Sequence, residues 1–79
     1  MQNSSDSDPI GEAVCLTIET NTQAVGRWLA GEPGSWGFLA GKAVITCQRK
    51  LGRKLTERER REVWRRLWGR LTELKSARL

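Results

Sequence analysis

The side chains best suited to chemistry in this sequence are the bases of its second half. Residues 41 to 79 contain thirteen bases and four acids, whereas residues 1 to 40 contain one base and five acids. Ten of the fourteen bases are arginines, and a guanidinium group binds a carboxylate or a phosphate through two parallel hydrogen bonds. The sequence therefore predicts a binding surface for an anionic partner, formed by Arg49, Lys50, Arg53, Lys54, Arg58, Arg61, Arg65 and Arg66.

Residues that support catalysis or metal binding are scarce. The chain has no histidine and no tyrosine, so the usual general bases near neutral pH are missing. The stretch "GFLAGK" resembles a phosphate-binding loop, but Gly37 and Gly41 are one residue too close and Ala43 replaces the hydroxyl that would bind magnesium. We therefore expect no enzymatic activity, no metal and no cofactor.

Only two cysteines are present, Cys15 and Cys47, both among apolar neighbours. This pattern favours small buried side chains over a redox pair. Nothing near the N-terminus resembles a secretion signal, and no apolar run approaches the roughly 20 residues that span a bilayer. We expect a cytoplasmic protein.

Helical signals dominate from Asp8 onwards, after a polar, serine-rich stretch over residues 1 to 7 that we predict to be a disordered tail. Asp8 followed by Pro9 is a typical helix start. Residues 13 to 20 leave an alternative open, because Val14, Leu16 and Ile18 alternate as in a strand. We predict a helix there, since a lone strand would have no partner, with a break near Asn21.

The last two helices are predicted to form an antiparallel hairpin. Ser35 is a candidate cap for the first of them, and Gly52 is a candidate terminator. Thr56 and Glu59 have the spacing of a capping box at the start of the second. The fold class that follows is all-α: a small bundle of three to four helices with a C-terminal antiparallel hairpin, forming a single helical domain over residues 8 to 79.

Small and aromatic residues suggest how this bundle packs. Gly26 with Ala30, and Gly37 with Gly41, each share a helix face, so we expect the second and third helices to cross closely there. The four tryptophans, Trp28, Trp36, Trp64 and Trp68, are expected mainly in the core, because each buries roughly 200 Å². The alternative is that Trp64 or Trp68 stays partly exposed as an anchor for a partner.

These features favour a non-enzymatic adaptor that docks an acidic protein surface through its arginine-rich side. Binding to a nucleic-acid backbone is the alternative, which we rank second because four acids are interspersed and no exposed aromatic residues are expected. A membrane-surface role ranks third, since the apolar face of the last helix is needed for the core. A solvated surface without a partner and a homodimer that completes the small core also remain open.

Overall fold

The computed structural model describes residues 8 to 77 and consists of four α-helices. They are α1 (Pro9–Thr20), α2 (Thr22–Leu29), α3 (Ser35–Leu51) and α4 (Glu57–Ala77), and no strand occurs among these residues. The predicted all-α bundle is confirmed. The tail predicted for residues 1 to 7 lies outside the described part of the chain.

Helix α1 begins and ends through contacts between neighbouring residues. The carboxylate of Asp8 accepts a hydrogen bond of 3.1 Å from the backbone N–H of Ile10, and Pro9 occupies the first turn. The side-chain amide of Asn21 donates to the carbonyl of Thr17 at 2.9 Å, where the backbone leaves the helical region. Residues 13 to 20 are therefore helical, and the predicted break lies at Asn21.

The turn between α2 and α3 is built on glycine. Gly31 and Gly34 have φ values of 82° and 88°, a region that side chains with a Cβ avoid. Gly34 occupies the N-cap position of α3, and the hydroxyl of Ser35 donates to the carbonyl of Glu32 at 2.7 Å. The prediction that Ser35 caps α3 is thus wrong, because its hydroxyl closes the preceding turn.

The hairpin of α3 and α4 is formed as predicted. Gly52 ends α3 at φ 73°, and its N–H donates to the carbonyl of Gln48 at 2.8 Å. The N–H of Thr56 donates to the carboxylate of Glu59 at 2.9 Å, while the N–H of Glu59 donates to the hydroxyl of Thr56 at 3.1 Å. This capping box starts α4 after a connection of five residues, 52 to 56, so the two helices run antiparallel.

The core lies where α1, α2 and α4 pack around α3. Its buried apolar residues are Ala13, Val14, Ala24, Val25, Leu39, Ala40, Ala43, Cys47, Leu55, Val63, Leu67 and Leu71. Four residues of this set are alanines, whose side chains are small. Gly26, Gly37 and Gly41 are exposed, and a Cβ placed on any of them would meet nothing within 4 Å. The predicted crossing through these glycines is therefore wrong.

The tryptophans are less buried than predicted. Trp28, Trp36 and Trp64 are half-buried against the core, whereas Trp68 is 52% exposed. The inner face of α4 is filled by Val63, Leu67 and Leu71, at steps of four residues. Trp68 follows Leu67 by one residue and so lies about 100° further round the helix, given 3.6 residues per turn. For Trp68 the alternative of partial exposure is the correct one, and its role as an anchor for a partner stays a prediction.

Candidate functional site

The eight basic residues predicted to bind a partner do not share one face of the molecule. Arg49, Lys50, Arg53 and Lys54 lie at the hairpin end, where α3 meets α4. Arg66 contacts the start of α1. The other three, Arg58, Arg61 and Arg65, lie along the outer side of α4 and are exposed. Each group has different acidic neighbours.

At the hairpin end, Arg53 is held by Glu59. Its guanidinium group donates to the two carboxylate oxygens of Glu59 at 2.8 Å and 2.7 Å. This pair, together with the hydrogen bond from the N–H of Thr56, lowers the pKa of Glu59 from 4.5 to about 2. Lys50 pairs with Glu12 of α1 at 3.3 Å. These two bases therefore stabilise the hairpin and α1, and both are partly neutralised.

Arg66 links α4 to α1. Its guanidinium group donates to the carboxylates of Glu62 and Asp8. The hydrogen bond that Arg66 donates to Glu62, and then the contact with Asp8, raise the pKa of Arg66 above its ordinary value. Because Arg66 is committed to two acids of its own chain, its predicted role in partner binding has the least support among the eight residues.

The outer side of α4 carries a continuous row of exposed side chains, here called the α4 stripe: Arg58, Arg61, Arg65 and Trp68. Their spacing of three, four and three residues places them one above another on the same helix face. The side chains of Arg61 and Arg65 are 74% and 73% exposed. The stripe thus combines three guanidinium groups with a half-exposed indole.

The arginines of the stripe have acidic neighbours on α4 itself. Arg61 lies 3.6 Å from Glu57, and Arg65 lies 2.6 Å from Glu62. Hydrogen bonds from Arg65, and then from Arg66, lower the pKa of Glu62. Arg58 has no ion pair within residues 8 to 77. Exposed pairs of this kind contribute about 0 to 1 kcal/mol, so a partner's carboxylate can replace the glutamate at little cost.

The indole of Trp68 is held by two others. Its ring centroid lies 5.4 Å from that of Trp28 and 5.4 Å from that of Trp36, at nearly perpendicular angles of 86° and 85°. Edge-to-face contacts of this kind contribute about 0.5 to 1.5 kcal/mol each. The ammonium group of Lys75 lies 5.4 Å from the centroid of Trp28. Trp68 is therefore exposed, while its contacts with two other indoles restrict its orientation.

The predicted set omitted two residues that contribute to this side of α4. Trp68 lies seven residues after Arg61, and this helical spacing was readable from the sequence. Arg60 lies over Trp64 at 5.6 Å from the ring centroid, and a spacing of four residues would have indicated that contact. Both spacings are visible within one helix of the sequence, but the prediction placed the tryptophans mainly in the core and so left these residues out of the site.

Other kinds of site have little material here. Within residues 8 to 77, no group of three or more cysteine or acidic side chains is arranged to hold a metal ion. Among the same residues, no helix combines the length and apolar character needed to cross a bilayer. Comparison of the chain with protein-family models, curated proteins and solved structures finds no match.

Proposed function

We propose that this protein is a non-enzymatic adaptor that docks an acidic protein through the α4 stripe. The observation that carries the proposal is the position of Trp68, half-exposed and fixed, in one helical row with Arg61 and Arg65. Tryptophan and arginine are the residues most enriched at binding hot spots. A partner helix or groove with an apolar pocket flanked by carboxylates would match this row.

The charges around the stripe support a protein partner over a polyphosphate. Glu57 and Glu62 flank Arg61 and Arg65 within ion-pair distance, and these acids would repel an uninterrupted row of phosphates. A protein surface can present carboxylates to the arginines and donors to the glutamates at once. Complementarity of this mixed kind gives specificity more than affinity.

Nucleic acid is a second candidate, supported by one observation. Trp68 is 52% exposed beside Arg65, and exposed aromatic rings stack on unpaired bases, each stack contributing about 1 to 3 kcal/mol. The sequence predicted no exposed aromatic residues, and the exposure of Trp68 differs from that prediction. Fluorescence anisotropy with random-sequence RNA and DNA at low and physiological salt separates the two candidates, since phosphate binding weakens steeply as salt rises.

The proposal is tested by affinity purification from the native host with matched variants. The pair Arg61→Glu and Arg65→Glu changes the charge of the stripe, and Trp68→Ala removes its anchor. As a control, Arg49→Glu with Lys54→Glu makes the same change in net charge at two exposed bases that have no ion pair within residues 8 to 77.

We expect a partner that the wild-type protein and the control retain and that both stripe variants lose. A hot-spot loss of about 2 kcal/mol or more corresponds to at least about a 30-fold weakening. Circular dichroism establishes that helicity is preserved in each variant. A partner retained by the stripe variants but lost by the control would move the docking surface to the hairpin end and refute the proposal.

A further inference from the structure

A groove of about 730 Å³ runs between α1 and α4, away from the α4 stripe except at Arg65. We call it the α1/α4 groove; its lining includes Gly11, Val14, Cys15, Leu16, Gly69 and Arg70. Leu16 is 41% exposed although it is a large aliphatic residue. The groove therefore offers apolar surface that α2 and α3 do not cover.

Gly69 keeps this groove open at its middle. It lies inside the 21-residue α4, and a Cβ placed on it would meet nothing within 4 Å. Glycine is a poor residue for a helix interior, and here no contact with a neighbouring element requires it. Gly69 therefore leaves space in the groove that a larger side chain would occupy.

The two helices that form the groove run in the same direction. Glu12 at the start of α1 pairs with Lys50 in the last turn of α3, so α1 is antiparallel to α3. The short connection of residues 52 to 56 makes α4 antiparallel to α3 as well. The ion pair of Asp8 with Arg66 agrees with this arrangement. It joins the start of α1 to a residue of α4 that precedes Gly69 and Glu73 in the chain.

Charge is consequently divided between the two ends of the groove. At the end where α1 starts, the groove is lined by three bases and one acid, namely Lys50, Arg65, Arg66 and Glu12; Lys50 pairs with Glu12, and Arg65 is 73% exposed. The opposite end is lined by two acids and one base, namely Glu19, Glu73 and Arg70, and Arg70 pairs with Glu73 at 3.3 Å. Glu19 is exposed and has no ion pair within the described residues. Among the residues that line the groove, one end therefore has an excess of two positive charges and the other an excess of one negative charge.

We propose that a second copy of this chain occupies the groove, antiparallel to the first, so that the Glu19 end of each copy meets the Arg65 end of the other. A two-fold axis across the groove reverses its direction, which brings opposite charges together at both ends. It also sets the dipoles of α1 and α4 antiparallel to those of the partner. A purely acidic peptide would be repelled at the Glu19 end, whereas the chain itself complements both ends.

The dimensions of the groove set the strength of this pairing. Helix α1 has 12 residues and is therefore about 18 Å long. Two helices about 10 Å wide give roughly 360 Å² of contact in each copy. The total of roughly 700 Å² is below the 1,200 to 2,000 Å² of stable interfaces. The dimer is thus weak, and half of the chains are dimeric only at high protein concentration.

The test is analytical ultracentrifugation of the full chain over protein concentrations up to about 1 mM, a range that covers weak association. Gly69→Gln places a polar side chain in the groove, and Gly41→Gln makes the same change at an equally open, exposed helix position outside it. We expect a concentration-dependent dimer that Gly41→Gln retains and that Gly69→Gln weakens at least tenfold. A chain that is monomeric at every concentration overturns the proposal.

Charge exchange tests the antiparallel arrangement. Glu19→Arg and Arg65→Glu should each weaken the dimer by about 10- to 30-fold, because two symmetric contacts change from attraction to repulsion. An equimolar mixture of the two variants should recover dimers, since each altered end then meets an oppositely altered end. Failure of the mixture to recover, or loss of the dimer in Trp68→Ala, overturns the proposal. No adaptor partner is present in these measurements, so their outcome is independent of the proposed function.

Discussion

Replacing Gly41 by alanine tests how the helices pack. Gly41 is exposed in the interior of α3, and a Cβ at this position would meet nothing within 4 Å. If Gly41 mediated a close helix crossing, as its spacing from Gly37 suggested, a methyl group would clash and destabilise the bundle. The structure predicts the opposite sign.

The expected magnitude follows from helix propensity alone. Alanine is favoured over glycine in a helix interior by about 0.8 to 1.0 kcal/mol, mostly because it restricts the unfolded chain. No new contact adds to or subtracts from this value, since the space around the Cβ is open. For a domain of this size, 1 kcal/mol raises the melting temperature by about 4 to 8 °C.

The same substitution at Gly52 provides a control, because it should lower the free energy of unfolding where Gly41→Ala raises it. Gly52 has a φ of 73° at the C-cap of α3, and a side chain in this conformation costs about 1 to 2 kcal/mol. The entropy that alanine removes from the unfolded chain offsets part of that cost. Gly52→Ala is therefore expected to lower the free energy of unfolding by about 1 kcal/mol.

Both variants are measured by thermal and urea unfolding followed by far-ultraviolet circular dichroism. If the free energy of unfolding falls with urea concentration at the same slope in variant and wild type, their free energies of unfolding can be compared directly. A Gly41→Ala variant less stable than the wild type would refute a packing in which Gly41 faces open space. It would mean that α3 approaches another element through Gly41 after all.

Two further predictions concern α4. The pKa of Glu59, lowered from 4.5 to about 2 by Arg53 and then by the N–H of Thr56, means that the folded state releases this proton more readily than the unfolded state does. The stabilisation is thus complete above about pH 4.5 and declines as the pH falls towards 2. Glu59→Gln should flatten the dependence of the free energy of unfolding on pH in this range. An unchanged pH dependence would count against the ion pair of Glu59 with Arg53. Leu67→Ala should lower the free energy of unfolding by about 2 to 5 kcal/mol because Leu67 is fully buried, whereas Trp68→Ala should cost about 1 to 3 kcal/mol through its two indole contacts. Urea unfolding measures both, and a larger loss for Trp68 would indicate that its indole belongs to the core.

The parts of the fold that could be predicted are those decided by contacts between near neighbours. Asp8 caps α1, Gly52 ends α3, and Thr56 with Glu59 starts α4, all across four residues or fewer. Residue type and spacing are sufficient for such features, because the partner is on the same short segment. Ser35 is the exception: a capping serine would accept a hydrogen bond from a backbone N–H of α3, whereas its hydroxyl donates to the carbonyl of Glu32.

Features that depend on distant segments could not be read in the same way. Periodicity placed Trp68 on the apolar side of α4, but Val63, Leu67 and Leu71 already fill the space that α1, α2 and α3 leave there. The choice among apolar positions on one helix is made by the volume of its neighbours. Similarly, the spacing of Gly37 and Gly41 said nothing about whether another helix lies on that face.

The candidate site shows the same division. The exposure of Arg61 and Arg65 followed from their position opposite the apolar residues of α4. The pairing of Arg66 with Asp8 did not, because the two residues are 58 positions apart. Sequence alone therefore predicted the exposure of these two arginines but could not separate the bases that pair within the fold from those that it leaves accessible.

Asp8 both caps α1 and pairs with Arg66, so one carboxylate contributes to initiating the first helix and to closing the bundle. During synthesis this second contact cannot form until residue 66 has left the ribosome. The nascent first helix would therefore lack its anchor while most of the described chain is being translated. Ribosome-bound chains that stop before residue 66 should accordingly be open to proteases, and those that extend past the last helix should become resistant.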